Sequence, residues 1–123
     1  LPKSLDLCHY VETDYLVDAC YENIAISIFK SNASDAVKVC DNIKDEEDQN
    51  ECMAISLVFT NLNASISYCE SINNPYARDI CYWRVSSELG KENPNKARDL
   101  CKHIRDPLDK NSCYRYIAFY LKK

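Results

Sequence analysis

Four cysteine pairs of identical spacing constrain this chain more than any other feature. The cysteines stand at 8, 20, 40, 52, 69, 81, 101 and 113, so the gaps run 12, 20, 12, 17, 12, 20 and 12. Four copies of C-x11-C make a repeat. Metal sites draw paired thiolates from one tight turn, as in C-x2-C, and no such pair occurs. His9 and His103 lie near Cys8 and Cys101, but the other two pairs have no histidine, which argues against a repeated zinc site. Eight cysteines in 123 residues therefore read as disulfides, formed outside a reducing cytosol.

Aligning the four copies on their cysteines exposes the rest of the unit. Three residues after each first Cys stand Val11, Ile43, Ile72 and Ile104; two further on stand Thr13, Asp45, Asn74 and Asp106. The latter four are N-cap types, because a short side-chain oxygen accepts from the free N–H groups of a helix start. Pro75 and Pro107 then fall at the first helical position, where the missing N–H costs nothing. Ser4, Ala36, Ser65 and Ala97 lie one turn before each first Cys, and all are small. Just after each second Cys come Tyr21, Met53, Tyr82 and Tyr114, while Asn32, Asn61 and Asn93 stand eight residues before a first Cys.

The unit is a short helix A, a tight turn and a longer helix B. The first Cys lies five residues before the cap and the second seven after it, so the two face each other near the tip of an antiparallel hairpin. A disulfide needs Cα atoms about 4.4–6.8 Å apart, closer than the usual ~8–10 Å between helices; the small residue beside each first Cys allows that approach. The expected bridges are Cys8–Cys20, Cys40–Cys52, Cys69–Cys81 and Cys101–Cys113. Helix B of the second copy should run through Ala54, Ile55, Leu57, Val58 and Phe59, apolar nearly all round, as Ile24, Ala25, Ile26, Ile28 and Phe29 are in the first. A lone ~30-residue hairpin cannot bury its apolar face, so the copies should stack.

Asn93-Pro94-Asn95-Lys96-Ala97 resembles the proline-started helix A of tetratricopeptide and Sel1-like αα-hairpin repeats, and the small residues Ala25, Ser86 and Ala118 sit where such repeats pack closely. Leu57 breaks that pattern, and the Leu-Gly pair of the family is absent. The copies, whose first cysteines stand at 8, 40, 69 and 101, also follow one another more closely than tetratricopeptide repeats do. The resemblance implies an all-α fold, a right-handed α-solenoid of four disulfide-stapled hairpins in a single domain over residues 1–123, with repeats at about 1–30, 31–60, 61–92 and 93–123. It also implies a scaffold or peptide-binding role and offers no catalytic residue.

Composition narrows function further. One glycine excludes Gly-rich phosphate loops. Fifteen basic and 19 acidic residues are too balanced for a nucleic-acid binder. No stretch of 18 apolar residues spans a membrane, and Leu1-Pro2-Lys3-Ser4 has no apolar signal-peptide core. Bridged cysteines cannot act as nucleophiles, and neither His9 nor His103 has a catalytic partner at a repeat-related spacing. The expectation is therefore no enzyme, no cofactor and no metal. The run Asp45-Glu46-Glu47-Asp48 lacks the spaced ligands of a calcium loop and suits the positive end of a helix dipole. Trp83 reads as a packing residue. Asn32-Ala33-Ser34 and Asn63-Ala64-Ser65 are N-glycosylation sequons at helix A starts, so Asn32 and Asn63 should carry N-linked glycan.

Two functional readings remain, both extracellular, secreted or on a cell surface. The first is a structural repeat protein that joins its own copies head to tail; the second is a solenoid module binding a peptide or protein. A soluble solenoid needs a polar outer face on its last repeat, yet the final helix reads Cys113-Tyr114-Arg115-Tyr116-Ile117-Ala118-Phe119-Tyr120-Leu121, with Tyr116, Phe119 and Tyr120 the expected self-assembly contacts. Charge agrees: residues 1–60 carry a net −8, residues 61–95 a net −1 and residues 96–123 a net +5, so one end complements the other. Nine tyrosines exceed the needs of a small core and suit an interface.

Overall fold

Short polar caps set where the helices begin. A computed structural model of the chain describes the backbone of residues 3–121 and the side chains of residues 5–121. A 3-10 helix, Lys3–Tyr10, is followed by α1 (Asp14–Ile28), α2 (Ala33–Cys40), α3 (Glu46–Ser56), α4 (Leu62–Glu70), α5 (Pro75–Gly90), α6 (Pro94–Cys101) and α7 (Pro107–Leu121), with no strand among the described residues. Asn32, Asn61 and Asn93 cap α2, α4 and α6, each side chain accepting the backbone N–H three residues on. Asp45 and Asn74 cap α3 and α5 in the same manner, and the Asp106 carboxylate accepts the Leu108 and Asp109 N–H groups at the start of α7. Each such cap contributes ~1 kcal/mol. Thr13 has the extended backbone of a cap but no side-chain bond.

All four bridges join the cysteines of one hairpin, Cys8–Cys20, Cys40–Cys52, Cys69–Cys81 and Cys101–Cys113, with Cα atoms 5.5–5.7 Å apart. Ala36, Ser65 and Ala97 are fully buried beside them, which gives that close approach its room; the side chain of Ser4 lies outside the described residues. Each bridge closes a short loop and stabilises by roughly 3 kcal/mol. Four disulfides in a small helical protein are consistent with an extracellular location.

Helices α1, α3, α5 and α7 form a row, each packed on the next. Each of α2, α4 and α6 packs on the row helix before it and the one after it. Ile43, Ile72, Ile104, Val39, Val58, Val85 and Ile117 fill the core between hairpins.

Two elements depart from expectation. The leading element of the first hairpin is a 3-10 helix rather than an α-helix; long 3-10 runs are uncommon. Its main packing partner is α1 alone, whereas α2, α4 and α6 are each held between two helices. In the second hairpin α3 ends at Ser56, so Leu57, Val58 and Phe59 stand in a turn instead of continuing the helix. The Asn61 cap follows Cys52 more closely in sequence than Asn32 follows Cys20 or Asn93 follows Cys81. The shortening falls on the helix end.

The true period is two hairpins long. Cys8, Cys20, Cys40 and Cys52 recur in the same order and at the same spacings as Cys69, Cys81, Cys101 and Cys113, with no insertion. At the offset that carries Cys8 onto Cys69, Tyr15 matches Tyr76, Asp18 matches Asp79 and Tyr21 matches Tyr82. Asn32 and Asn93, Asp45 and Asp106, and Asn50 and Asn111 pair in the same way. The helices follow: α2 and α6 correspond residue for residue, and α1 and α3 start at the positions that match the starts of α5 and α7.

Candidate assembly surface

The two double-hairpin units meet where α4 and α5 pack on α3. There Ala54, Ile55 and Val58 are buried, and the Ser65 hydroxyl donates to the Ala54 carbonyl at 2.5 Å. Arg84 of α5 reaches back across the junction to Glu51 of α3 and, at 2.9 Å, to Glu22 of α1. Burial pushes the Glu51 carboxyl above its ordinary range, against the opposing pull of Arg84. The Arg84 guanidinium is driven further up by its two carboxylates, which outweigh its own burial.

Helix α7 corresponds to α3 in the second unit but continues as helix through the positions that form a turn after α3. Phe119 matches Val58, yet Phe119 is 59% exposed and Val58 only 2%. Arg115 and Ala118 are exposed, and the buried residues of α7 are Cys113 and Ile117. Tyr116 is half-buried, its ring 5.5 Å from Trp83 and 5.4 Å from Tyr120. The two tyrosine hydroxyls lie 3.2 Å apart, and that hydrogen bond, reinforced by burial, pushes the Tyr116 phenol up to about 12. Phe119 meets Tyr120 edge-on at 5.5 Å. The three aromatic residues expected to form the assembly surface thus stand together, and Trp83 serves as their packing support from α5.

The opposite end is also apolar. Leu7 and Tyr10 of the 3-10 helix and Leu16 of α1 are exposed. Tyr10 is one of the nine tyrosines that the sequence marks as suited to an interface; Leu7 and Leu16 have no such mark, and their signal is the two-hairpin recurrence, because they match Tyr68 and Ala77, which pack against the core.

Sequence also missed two buried carboxylates. Asp18 accepts the backbone N–H groups of Lys44 and Asp45 at 2.9 and 3.1 Å, and Asp79 accepts those of Arg105 and Asp106 at 3.0 and 3.1 Å. Helices α1 and α5 thereby hold the turn of the hairpin that follows. Asn50 and Asn111 take the same position in the other two hairpins.

The row helices carry separate hollows. Tyr15, Glu22, Asp48 and Glu51 line one and Asp14, Asp18 and Lys44, with Tyr15 and Asp48, another, while Tyr76, Ile80 and Trp83 line a third together with Asp79, Arg84 and Asp109. Burial, then the charges of Asp45, Glu22, Glu51 and Asp18, raise the Asp48 carboxyl to about 6. Glu46, Glu47 and Asp48 occupy the first turn of α3, as the dipole reading of the acidic run expects. No group of three or more His, Cys, Asp or Glu is arranged to hold a metal among the described residues, and no cysteine there is free.

His9 is exposed, and His103, also exposed, stacks on Tyr82 at 5.0 Å. Both sequon asparagines are exposed, but their settings differ. Asn32 is a helix cap whose amide also donates to Asp35 at 2.9 Å. Asn63 lies two residues beyond the Asn61 cap, and the Ser65 of its sequon is fully buried. No helix is long and apolar enough to cross a membrane among the described residues. Comparison of the chain with protein-family models, with curated proteins and with solved structures finds no match.

Proposed function

We propose that this protein is a non-catalytic extracellular structural repeat protein whose copies join head to tail into a filament or surface assembly. The row of packed helices supports reading the stack as a right-handed tetratricopeptide-like α-solenoid. One observation carries the assembly reading: Phe119 is 59% exposed where its counterpart Val58 is 2% exposed. A position that is covered within the first unit is exposed at its counterpart on α7. Large exposed apolar patches are uncommon on soluble monomers. Unlike ends of one molecule give heterologous contacts, which close into rings or extend as helical filaments. The acidic residues 1–60 and basic residues 96–123 favour this polarity and oppose tail-to-tail pairing.

Sedimentation and negative-stain microscopy of concentrated protein test the reading. Rings or filaments that Phe119→Asp disperses are the expected result. A monodisperse monomer at high concentration, unchanged by Phe119→Asp, overturns it. Asn32 and Asn63 carry N-linked glycan in this reading. The buried Ser65 requires attachment at Asn63 before the chain folds, and intact mass of native material checks both sites.

A second reading is favoured by the hollows on the row helices, one acidic and bearing the exposed Tyr15, another bearing the exposed Tyr76 with Ile80 and Trp83. It fits a peptide with basic and apolar residues. Saturable binding of such a peptide by a chain that stays monomeric supports this reading over assembly.

A further inference from the structure

The internal duplication gives the assembly a register. We infer that a second copy docks on α7 as the second unit docks on the first: its 3-10 helix and α1 take the places on α7 that α4 and α5 take on α3. This rests on the head-to-tail reading above and adds which residues meet.

Positions that the internal junction covers have exposed counterparts at both ends of the row. On the α7 side, Phe119 and Arg115 are exposed where Val58 and Ala54 are buried. On the head side, Leu7 is 63% and Leu16 51% exposed, while their counterparts Tyr68 and Ala77 pack against the core. Positions that the internal junction covers are thus exposed at both ends, and the two ends are opposite in charge, so the occupant we assign is a second copy of this chain.

The polar pairs agree. Inside the chain, Glu51 and Arg84 form the ion pair across the junction. Their counterparts at the open ends are Ser112, which stands to Cys113 as Glu51 does to Cys52, and Asn23, which stands to Cys20 as Arg84 does to Cys81. Both are neutral, so these two positions carry no ion pair; Arg115, at the place of buried Ala54, is the charge that the contact must accommodate, and a carboxylate of the acidic head is its partner in this register. Overall charge favours the same polarity, acidic head against basic tail. Continued copy by copy, the contact repeats the internal step every two hairpins, so the stack runs on through the junction.

The test transplants the internal ion pair. Asn23 is exposed and Ser112 half-exposed, so neither Asn23→Lys nor Ser112→Glu threatens the fold. The two single variants are mixed, treated with a water-soluble carbodiimide that joins an amine to a carboxylate, and mapped by peptide mass. The expected product is a cross-linked dimer whose linked peptides carry positions 23 and 112, absent from either single variant alone. The double variant gives a ladder of higher oligomers through the same link. Assembly that persists by sedimentation without a 23–112 link overturns the register and leaves head-to-tail joining standing. Absence of assembly in the wild-type chain overturns both.

Discussion

Gly90 packs so closely on Ile117 that a Cβ at position 90 would stand 2.5 Å from the Ile117 Cδ1 atom. This is the only glycine of the chain, and it brings the C-terminal end of α5 against α7. Its counterpart in the first unit is Phe29, which is buried and stacks on Phe59 with ring centroids 5.9 Å apart. Phe59 is the counterpart of Tyr120 and Ser56 that of Ile117, so the two units close this end of the row with different contacts.

Gly90→Ala should therefore destabilise despite the better helix propensity of alanine. Overpacking a filled core costs ~1–3 kcal/mol, and propensity returns ~1 kcal/mol. A net loss of about 1 kcal/mol in chemical denaturation is expected from those two terms. Ile117→Val removes the clashing methyl group, so the double variant should lose less than the two single losses added. Strict additivity would place the clash elsewhere.

Asp18→Ala and Asp79→Ala should each cost about 2–4 kcal/mol, because a buried carboxylate that accepts two N–H groups leaves both unsatisfied when removed. Asparagine at either position keeps one acceptor and should lose less. Hydrogen exchange reads the mechanism directly. Amides of Lys44 and Asp45 should lose protection in Asp18→Ala, while those of Arg105 and Asp106 should not. Uniform loss of protection would show global destabilisation instead of a released turn.

Local chemistry made the helix starts legible. Asp45, Asn74 and Asp106 cap their helices because a side-chain oxygen reaches the next turn whatever surrounds it, and the bridges follow from two positions facing across one hairpin. Non-local contacts were harder to read. Superposing all four cysteine pairs sets Asp18 and Asp79 in one column with Asn50 and Asn111, which blurs the alternation that marks a two-hairpin period. The early end of α3 depends on how little chain remains before the Asn61 cap, a length effect that apolar patterning does not register. Tyr116, Phe119 and Tyr120 were legible as a group from their crowding on one helix. Leu7 and Leu16 were not, because a scattered leucine means little until its covered counterpart is known.

Ser86→Ala should stabilise the fold. The Ser86 hydroxyl is buried and has no hydrogen-bond partner among the described residues. Its counterpart, Ala25, fills the same place with a methyl group and is fully buried. Removing an unsatisfied hydroxyl without changing the packing should add about 1 kcal/mol, measured as a higher denaturant midpoint with an unchanged slope. A loss of stability would mean that the hydroxyl is satisfied in solution.

Asp48 gives the chain a pH-dependent weakness of defined sign. Burial first, and the neighbouring carboxylates of Asp45, Glu22, Glu51 and Asp18 second, raise its carboxyl from 3.8 to about 6. The folded chain then binds this proton more tightly than the unfolded one, so ionised Asp48 works against folding at neutral pH. The penalty fades as pH falls through about 6 and is gone below the unfolded value of 3.8. Glu51, also raised by burial, adds in the same direction. Asp48→Asn removes the charge and keeps the shape, so it should be more stable than the wild type at neutral pH. That advantage should shrink steadily on acidification towards the unfolded carboxylate range. Taking the difference between the two proteins at each pH cancels the titration of groups they share. Denaturant midpoints across the acidic range supply the measurement. A gap that stays constant with pH would show that Asp48 titrates alike in both states and that the surrounding carboxylates are screened from it.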